Sequence, residues 1–137
     1  MRTADLDDVV RISRATMLHP WRRNQFAQEL ICPRGHALVA CGTRPCGYAF
    51  FRFMGEEAEL LQLAVEPAKM GQGTGGQLLR TGIKQLVFQG ITTCFLEVRR
   101  ENSRARRFYQ RHGFVEIGRR KKYYTQPVDD AVVMKKE

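Results

Sequence analysis

The chain begins with apolar positions at helical spacing. Leu6, Val9 and Ile12 share one face behind Asp5, a residue type suited to cap a helix. A second short helix follows His19, Pro20 and Trp21, carries Phe26 and Leu30, and stops before Pro33. Then the period shortens to that of strands. Residues 37–41 and 48–53 read as two strands joined around Gly42, Thr43, Arg44 and Pro45, and residues 58–65 as a third, nearly continuous in apolar character. Past a run of glycines, Leu79, Ile83, Leu86 and Val87 form the core stripe of an amphipathic helix ending near Gly90, and residues 92–98 give the next strand. Ala105, Phe108, Tyr109 and His112 share one face of a further helix while Arg104, Arg107 and Arg111 share another, and Gly113 is placed to end it. Closing strands start at Phe114 and at Ala131.

A strand, a glycine-opened helix and a strand make a βαβ unit, whose two strands run parallel with a right-handed crossover. The expected fold is α+β, a mixed central sheet flanked by helices. With no internal repeat or linker, residues 1–137 read as one domain, long enough to bury roughly 68% of the unfolded surface.

The glycine run is the segment with chemistry in it. Met70, Gly71, Gln72, Gly73, Thr74, Gly75 and Gly76 lie between a strand and a helix, where unpaired N–H groups and a partial positive charge suit an anion. The nucleotide P-loop is excluded, because Gln77 and Leu78 stand where lysine and a hydroxyl residue are required. The segment therefore suits a phosphate held without metal.

Charge widens the list of partners. The net charge is +9, concentrated in Arg99, Arg100, Arg104, Arg106, Arg107, Arg111, Arg119, Arg120, Lys121 and Lys122, a field that attracts nucleic acid, a ribosomal surface or a phosphorylated cofactor, or serves only solubility. The alternative of a non-catalytic RNA- or ribosome-binding module has no RNA-binding motif to support it, and Phe108 and Tyr109 fall on a core face rather than a stacking platform, so contact with RNA would be unspecific. No apolar run is long enough to span a membrane, and the N-terminus is too acidic and polar for a signal peptide, which points to the cytoplasm. Cys32, Cys41, Cys46 and Cys94 show no spacing for zinc and read as buried or idle thiols.

Four segments together resemble the GCN5-related N-acetyltransferases (GNAT). They are the loop from Val65 to Gly75, the strand end Leu96-Glu97-Val98-Arg99 with Asn102, the helix end Tyr109 to Phe114, and His19-Pro20-Trp21 before a helix. This last element, with Arg119 to Tyr124 leading into Asp129 to Met134, is similar to the RimI-type branch, which acetylates the N-terminal alanine of a small-subunit ribosomal protein. The resemblance implies acetyl-CoA as cosubstrate without a metal, and as acceptor a protein N-terminus or else a small amine. It assigns residues 70–76 to the pyrophosphate and the backbone of Ala64 and Val65 to the pantetheine arm; beside that assignment, Arg104 or its neighbouring bases are placed to add affinity for the cofactor.

By the same resemblance Glu97 is the base for the acceptor amine. As a residue it is either that or one half of an arginine pair at a strand end, since a carboxylate beside Phe95 is desolvated or salt-bridged. Tyr109 is either the general acid for the leaving thiolate or a core tyrosine. Asn102 either bonds the pantetheine or caps a helix. His19, Pro20, Trp21, Tyr123 and Tyr124 line the peptide entrance by resemblance, Trp21 being equally at home in a core. Glu56, Glu57 and Glu59 either receive a cationic peptide or are simply exposed charges near a hairpin. The resemblance further implies an N-terminal strand, which so few residues before Asp5 leave short.

Overall fold

The computed structural model describes all residues, 1–137. Its elements are α1 (Leu6–Thr16), α2 (Arg23–Ile31), β1 (Gly35–Cys41), β2 (Pro45–Met54), β3 (Glu57–Val65), α3 (Thr74–Phe88), β4 (Thr93–Arg99), α4 (Ser103–Arg111), β5 (Val115–Thr125) and β6 (Val128–Lys136). They form one six-stranded sheet in the order β1-β2-β3-β4-β6-β5. Only β3 and β4 pair in parallel, as the βαβ reading requires.

The sheet has a core on each face. On one side α3 and α4 cover Ala49, Phe51, Leu60, Leu96, Phe114 and Met134. On the other, α1 and α2 cover Tyr48, Phe50 and Ala64 with Leu6, Val9, Ile12 and Phe26. Strand alternation explains the division, because Tyr48 and Phe50 point one way while Ala49 and Phe51 point the other. The second pair of helices packs on β1, β2 and β3, so β4, β6 and β5 are left uncovered on that face. Strand β5 is exposed along nearly its whole length, with basic residues that discourage edge pairing.

Local readings need three corrections. No strand precedes α1. Instead Thr3–Asp5 form a single 3-10 turn, and the N-terminal ammonium donates to the Ala37 carbonyl at 3.4 Å. Asp5 does not cap α1 with its side chain; its carboxylate accepts from the Arg2 N–H at 2.8 Å, which starts the turn two residues earlier. Val87 is exposed, at the helix end where α3 leaves the sheet, and the core positions are Leu78, Leu79, Gly82 and Leu86. At Gly82 a Cβ would lie 2.4 Å from Cε2 of Phe51, so the missing side chain lets α3 press onto β2.

Candidate active site

The site begins where β3 and β4 part. Their parallel pairing runs only from Glu57↔Thr93 to Glu59↔Phe95. Directly beyond, the β2–β3 register skips Leu61, an extra residue that bends β3 away from β4. Antiparallel alternation, counted from the Glu66 N–H that donates to the Cys46 carbonyl at 2.7 Å, turns the main-chain groups of Leu63 and Val65 toward the gap. Those of Ala64 face Tyr48 on β2. Val65 thus has the edge position expected of it, while Leu63, not Ala64, shares that edge.

The gap leads to the glycine loop. Gly71 and Gly73 have φ of +79° and +82°, and Gly73 is the N-cap of α3 in the left-handed region. The first main-chain bond of α3 is the Gln77 N–H to the Gly73 carbonyl, so the N–H groups of residues 71–76 have no protein acceptor, whereas that of Met70, expected with them, donates to the Pro67 carbonyl at 3.4 Å. Such a row of free donors at a helix N-terminus fits a diphosphate. Arg11 steadies the approach to the loop, donating to Glu66 at 2.8 Å and to the Pro45 carbonyl at 3.0 Å. Beside the early turns of α3 lies a groove of about 610 Å³ lined by Arg80, Lys84, Arg111, His112 and Lys136, with no carboxylate among its lining residues. Its His112 lies against Gly76 of the loop, and Glu97 is not among its lining residues.

Glu97 points out of the uncovered face. In β4 the side chains of Cys94, Leu96 and Val98 enter the core under α3 and α4, which leaves Phe95, Glu97 and Arg99 on the opposite side. Arg120 of β5 reaches across β6 and places Nε 3.3 Å from Oε1 of Glu97. Of the two readings of this carboxylate, the salt-bridged one describes its surroundings. Glu59 is beside it, one strand away. Partial burial, and then the charge of Glu97, push the Glu59 carboxyl upward. Tyr124 is likewise pushed upward, by burial first and by Glu97 second.

Tyr109 comes from the other face. Its ring packs among Phe108, Phe114 and the core that holds Cys94, and its hydroxyl makes no hydrogen bond to the protein. Burial pushes this phenol far above its ordinary range, with Cys94 a lesser contributor. Burial also pushes the Cys94 thiol up to about 12.

Among the remaining expected residues, Asn102 caps α4, its Oδ1 accepting from the Ala105 N–H at 3.2 Å. Arg104 is exposed in the first turn of that helix, without an ion pair. His19 meets the Gln126 carbonyl and so ties the α1–α2 loop to the β5–β6 turn. Pro20 is exposed beside it. Trp21 is half-buried and packs against the core, its ring 5.2 Å from Phe26 and 6.2 Å from Phe50. Tyr123 and Tyr124 stack edge to face at 5.2 Å, and Arg99 lies 4.2 Å above Tyr124 while donating to the carbonyls of Gln126 and Pro127. Glu57 opens β3, and the Glu56 carbonyl accepts from the Thr92 N–H. Arg120, Arg99 and Asp129 are neighbours of these residues whose contacts spacing along the chain does not reveal. Asp129, which accepts from the Glu101 N–H at 3.0 Å, joins the β4–α4 loop to β6. The expected basic cluster divides: Arg100, Arg119 and Arg120 hold carboxylates, whereas Arg104, Arg107, Arg111, Lys121 and Lys122 have none. No group of three or more His, Cys, Asp or Glu side chains is gathered to hold a metal, and no helix is long and apolar enough to cross a membrane.

Comparison with known proteins bears on this geometry. The ribosomal protein bS18-alanine N-acetyltransferase of Haemophilus influenzae is 42% identical over 142 aligned positions, covering 98% of this chain and 93% of the relative. The crystal structure of the ribosomal-protein-S18-alanine N-acetyltransferase of Escherichia coli superposes with a TM-score of 0.91 at 30% identity, covering 99% of this chain and 89% of that one. The PaiA N-acetyltransferase of Thermoplasma acidophilum, solved with coenzyme A, shares the fold with a TM-score of 0.84 at 20% identity, over 100% of this chain and 95% of that one. Residues 6–114 match the description "Acetyltransferase (GNAT) family". With parted strands, a cradle of free N–H donors and these relatives in agreement, the chain belongs to the GNAT family and is an acetyl-CoA-dependent N-acetyltransferase.

Proposed function

We propose that this chain, acting as a single catalytic domain over residues 1–137, acetylates the α-amino group of a protein N-terminus, with a ribosomal protein as its principal acceptor. The observation that carries this reading is the match, over nearly the whole chain, to enzymes named for acetylating the alanine of a ribosomal protein. The uncovered half-sheet supports it, since an extended peptide has room there to bring its first residue to the parted strands. Net positive charge opposes a basic acceptor in general, but Glu59 and Glu97 place two carboxylates beside the gap, where an acceptor ammonium can be received.

Acetyl-CoA supplies an activated acyl thioester to the ternary complex. The free N–H groups of residues 71–76 bind its diphosphate, Leu63 and Val65 offer main-chain groups to its pantetheine arm as an added strand would, and Arg104 lies within the basic surface near its phosphates. Glu97 takes a proton from the acceptor ammonium, directly or through a water. The freed nitrogen attacks the thioester carbonyl, the C–N bond forms, the C–S bond breaks, and Tyr109 gives the departing sulfur a proton, while the second proton that the nitrogen loses on becoming an amide passes through water and restores the phenol. A terminal amine has an ordinary pKa near 7.7–8.0, so the base has modest work to do. Asn102 serves here through its cap, which fixes the start of the helix bearing Tyr109. His19, Pro20, Tyr123 and Tyr124 form the rim of the acceptor face, and Trp21 backs that rim from the core.

The test is mass spectrometry of a peptide library incubated with the enzyme and acetyl-CoA, with the first residue varied and internal lysines present. The expected result is acetylation of α-amines, alanine-first peptides leading. Acetylation confined to lysine side chains, or to small amines offered in competition, would overturn the reading.

A further inference from the structure

We infer that Arg120 holds the place of the acceptor's ammonium group on Glu97 and is displaced when the acceptor enters, which makes it a positioning and specificity-determining residue. This rests on Glu97 being the carboxylate that meets the acceptor amine. The two side chains differ in the way displacement needs: Glu97 is 22% exposed and fixed on a central strand, whereas Arg120 is 59% exposed on the edge strand. Their strands are separated by β6, where Ala131 opposite Arg120 is small, and Gly118 of β5 opposite Val133 has no side chain, which leaves room for the long side chain to lie across. A second resting place is at hand, because the Arg120 guanidinium is also 5.6 Å from the Tyr123 ring.

Other cations on this face are engaged elsewhere. Arg52 pairs with Glu29, Lys135 with Glu137 at 2.6 Å, and Arg99 with the carbonyls of Gln126 and Pro127. The groups facing Glu97 are therefore Glu59 from β3, Arg99 from its own strand, Lys135 from β6, and Arg120 and Tyr124 from β5, and among them Arg120 alone forms an ion pair with it.

An exposed ion pair of this kind contributes little, so exchanging one cation for another on the same carboxylate is nearly neutral in energy. A neutral acceptor would have to break the pair without replacing it. Arg120 thus favours acceptors that arrive as ammonium ions and keeps Glu97 paired between turnovers. Once Glu97 has taken the amine's proton it no longer holds a cation, and Arg120 returns when that proton passes to solvent.

A double-mutant cycle in the full chain tests this by calorimetry of an alanine-first peptide binding in the presence of CoA. Arg120→Gln is expected to tighten peptide binding by about two- to fivefold, to leave CoA affinity unchanged, and to have no effect on peptide binding in the Glu97→Gln background. Arg120→Lys should restore the native peptide affinity. Peptide binding unchanged or weakened by Arg120→Gln, or altered equally in both backgrounds, would overturn the inference. The base role of Glu97 is read separately from kcat of Glu97→Gln. Coupling in the cycle with kcat retained removes that role and leaves the displacement, whereas kcat lost without coupling removes the displacement alone.

Discussion

Glu97 and Tyr109 approach the parting of β3 and β4 from opposite faces of the sheet, the carboxylate from the uncovered side beside Arg120 and the phenol from the core side beside Cys94. No hydrogen bond joins them, so the two proton transfers of the reaction are spatially separate. The raised phenol stays protonated at neutral pH, which preserves its proton but lessens its tendency to give it up. A thiolate departing into the same surroundings gains proton affinity as well. Cys94 registers this effect, its thiol being pushed up to about 12.

The diphosphate cradle is testable at Gly73, where φ is +82° and a Cβ would meet nothing within 4 Å. Backbone conformation, not space, restricts the position. Asn tolerates this region, so Gly73→Asn should fold and keep most of its acetyl-CoA affinity. Gly73→Asp has nearly the same shape but sets a negative charge among the donors of residues 71–76, and should lose about tenfold or more. Calorimetry giving equal affinities for the two variants would remove the loop from the binding site.

The order of helices and strands is legible in the chain because apolar spacing changes sharply after Pro33 and because glycine and proline punctuate nearly every element. The free N–H groups are legible too, since glycine excess at a helix start has few other uses. Contacts set by strand register are not. Arg120 meets Glu97 only because β6 inserts between β4 and β5, an order invisible in linear spacing. The main chain of Leu63 faces the gap because of which β2–β3 rungs are bonded, a phase that alternation of side chains does not report. Trp21 illustrates another limit, since aromatic residues suit a peptide rim and a core equally, and in the fold its half-buried ring borders both, resting on Phe26 and Phe50.

Gly82 should resist the usual benefit of alanine in a helix. Gly→Ala ordinarily stabilises a helix interior by about 1 kcal/mol, but here the new Cβ would fall 2.4 Å from the Phe51 ring. Moving a buried ring is expected to cost about 1–3 kcal/mol. Urea denaturation should therefore show Gly82→Ala less stable than the native chain, and a gain in stability would contradict the close helix–sheet contact.

Buried Cys94 predicts a loss of stability in alkali. Its thiol titrates near 8.5 when unfolded and at about 12 in the fold. Below the first value both states hold the proton; above it the unfolded chain releases a proton that the folded chain keeps, so stability falls as pH rises toward the second. At about pH 10 the loss from this group is about 2 kcal/mol. Cys94→Ala should be less stable at neutral pH, yet decline less steeply between about pH 8 and about pH 10 in urea titrations. Identical slopes would contradict the burial effect.

The most direct measurement is the pH dependence of kcat for Glu97→Gln and Tyr109→Phe with an alanine-first peptide at saturating acetyl-CoA. Each variant should lower kcat by about 10²- to 10⁴-fold with acetyl-CoA affinity nearly intact. The Glu97→Gln defect should shrink as pH rises through the pKa of the peptide amine, because more of that amine is already neutral, while the Tyr109→Phe defect should persist, since alkali supplies no proton to the thiolate. Near-native kcat for both folded variants at every pH would contradict this division of proton transfer.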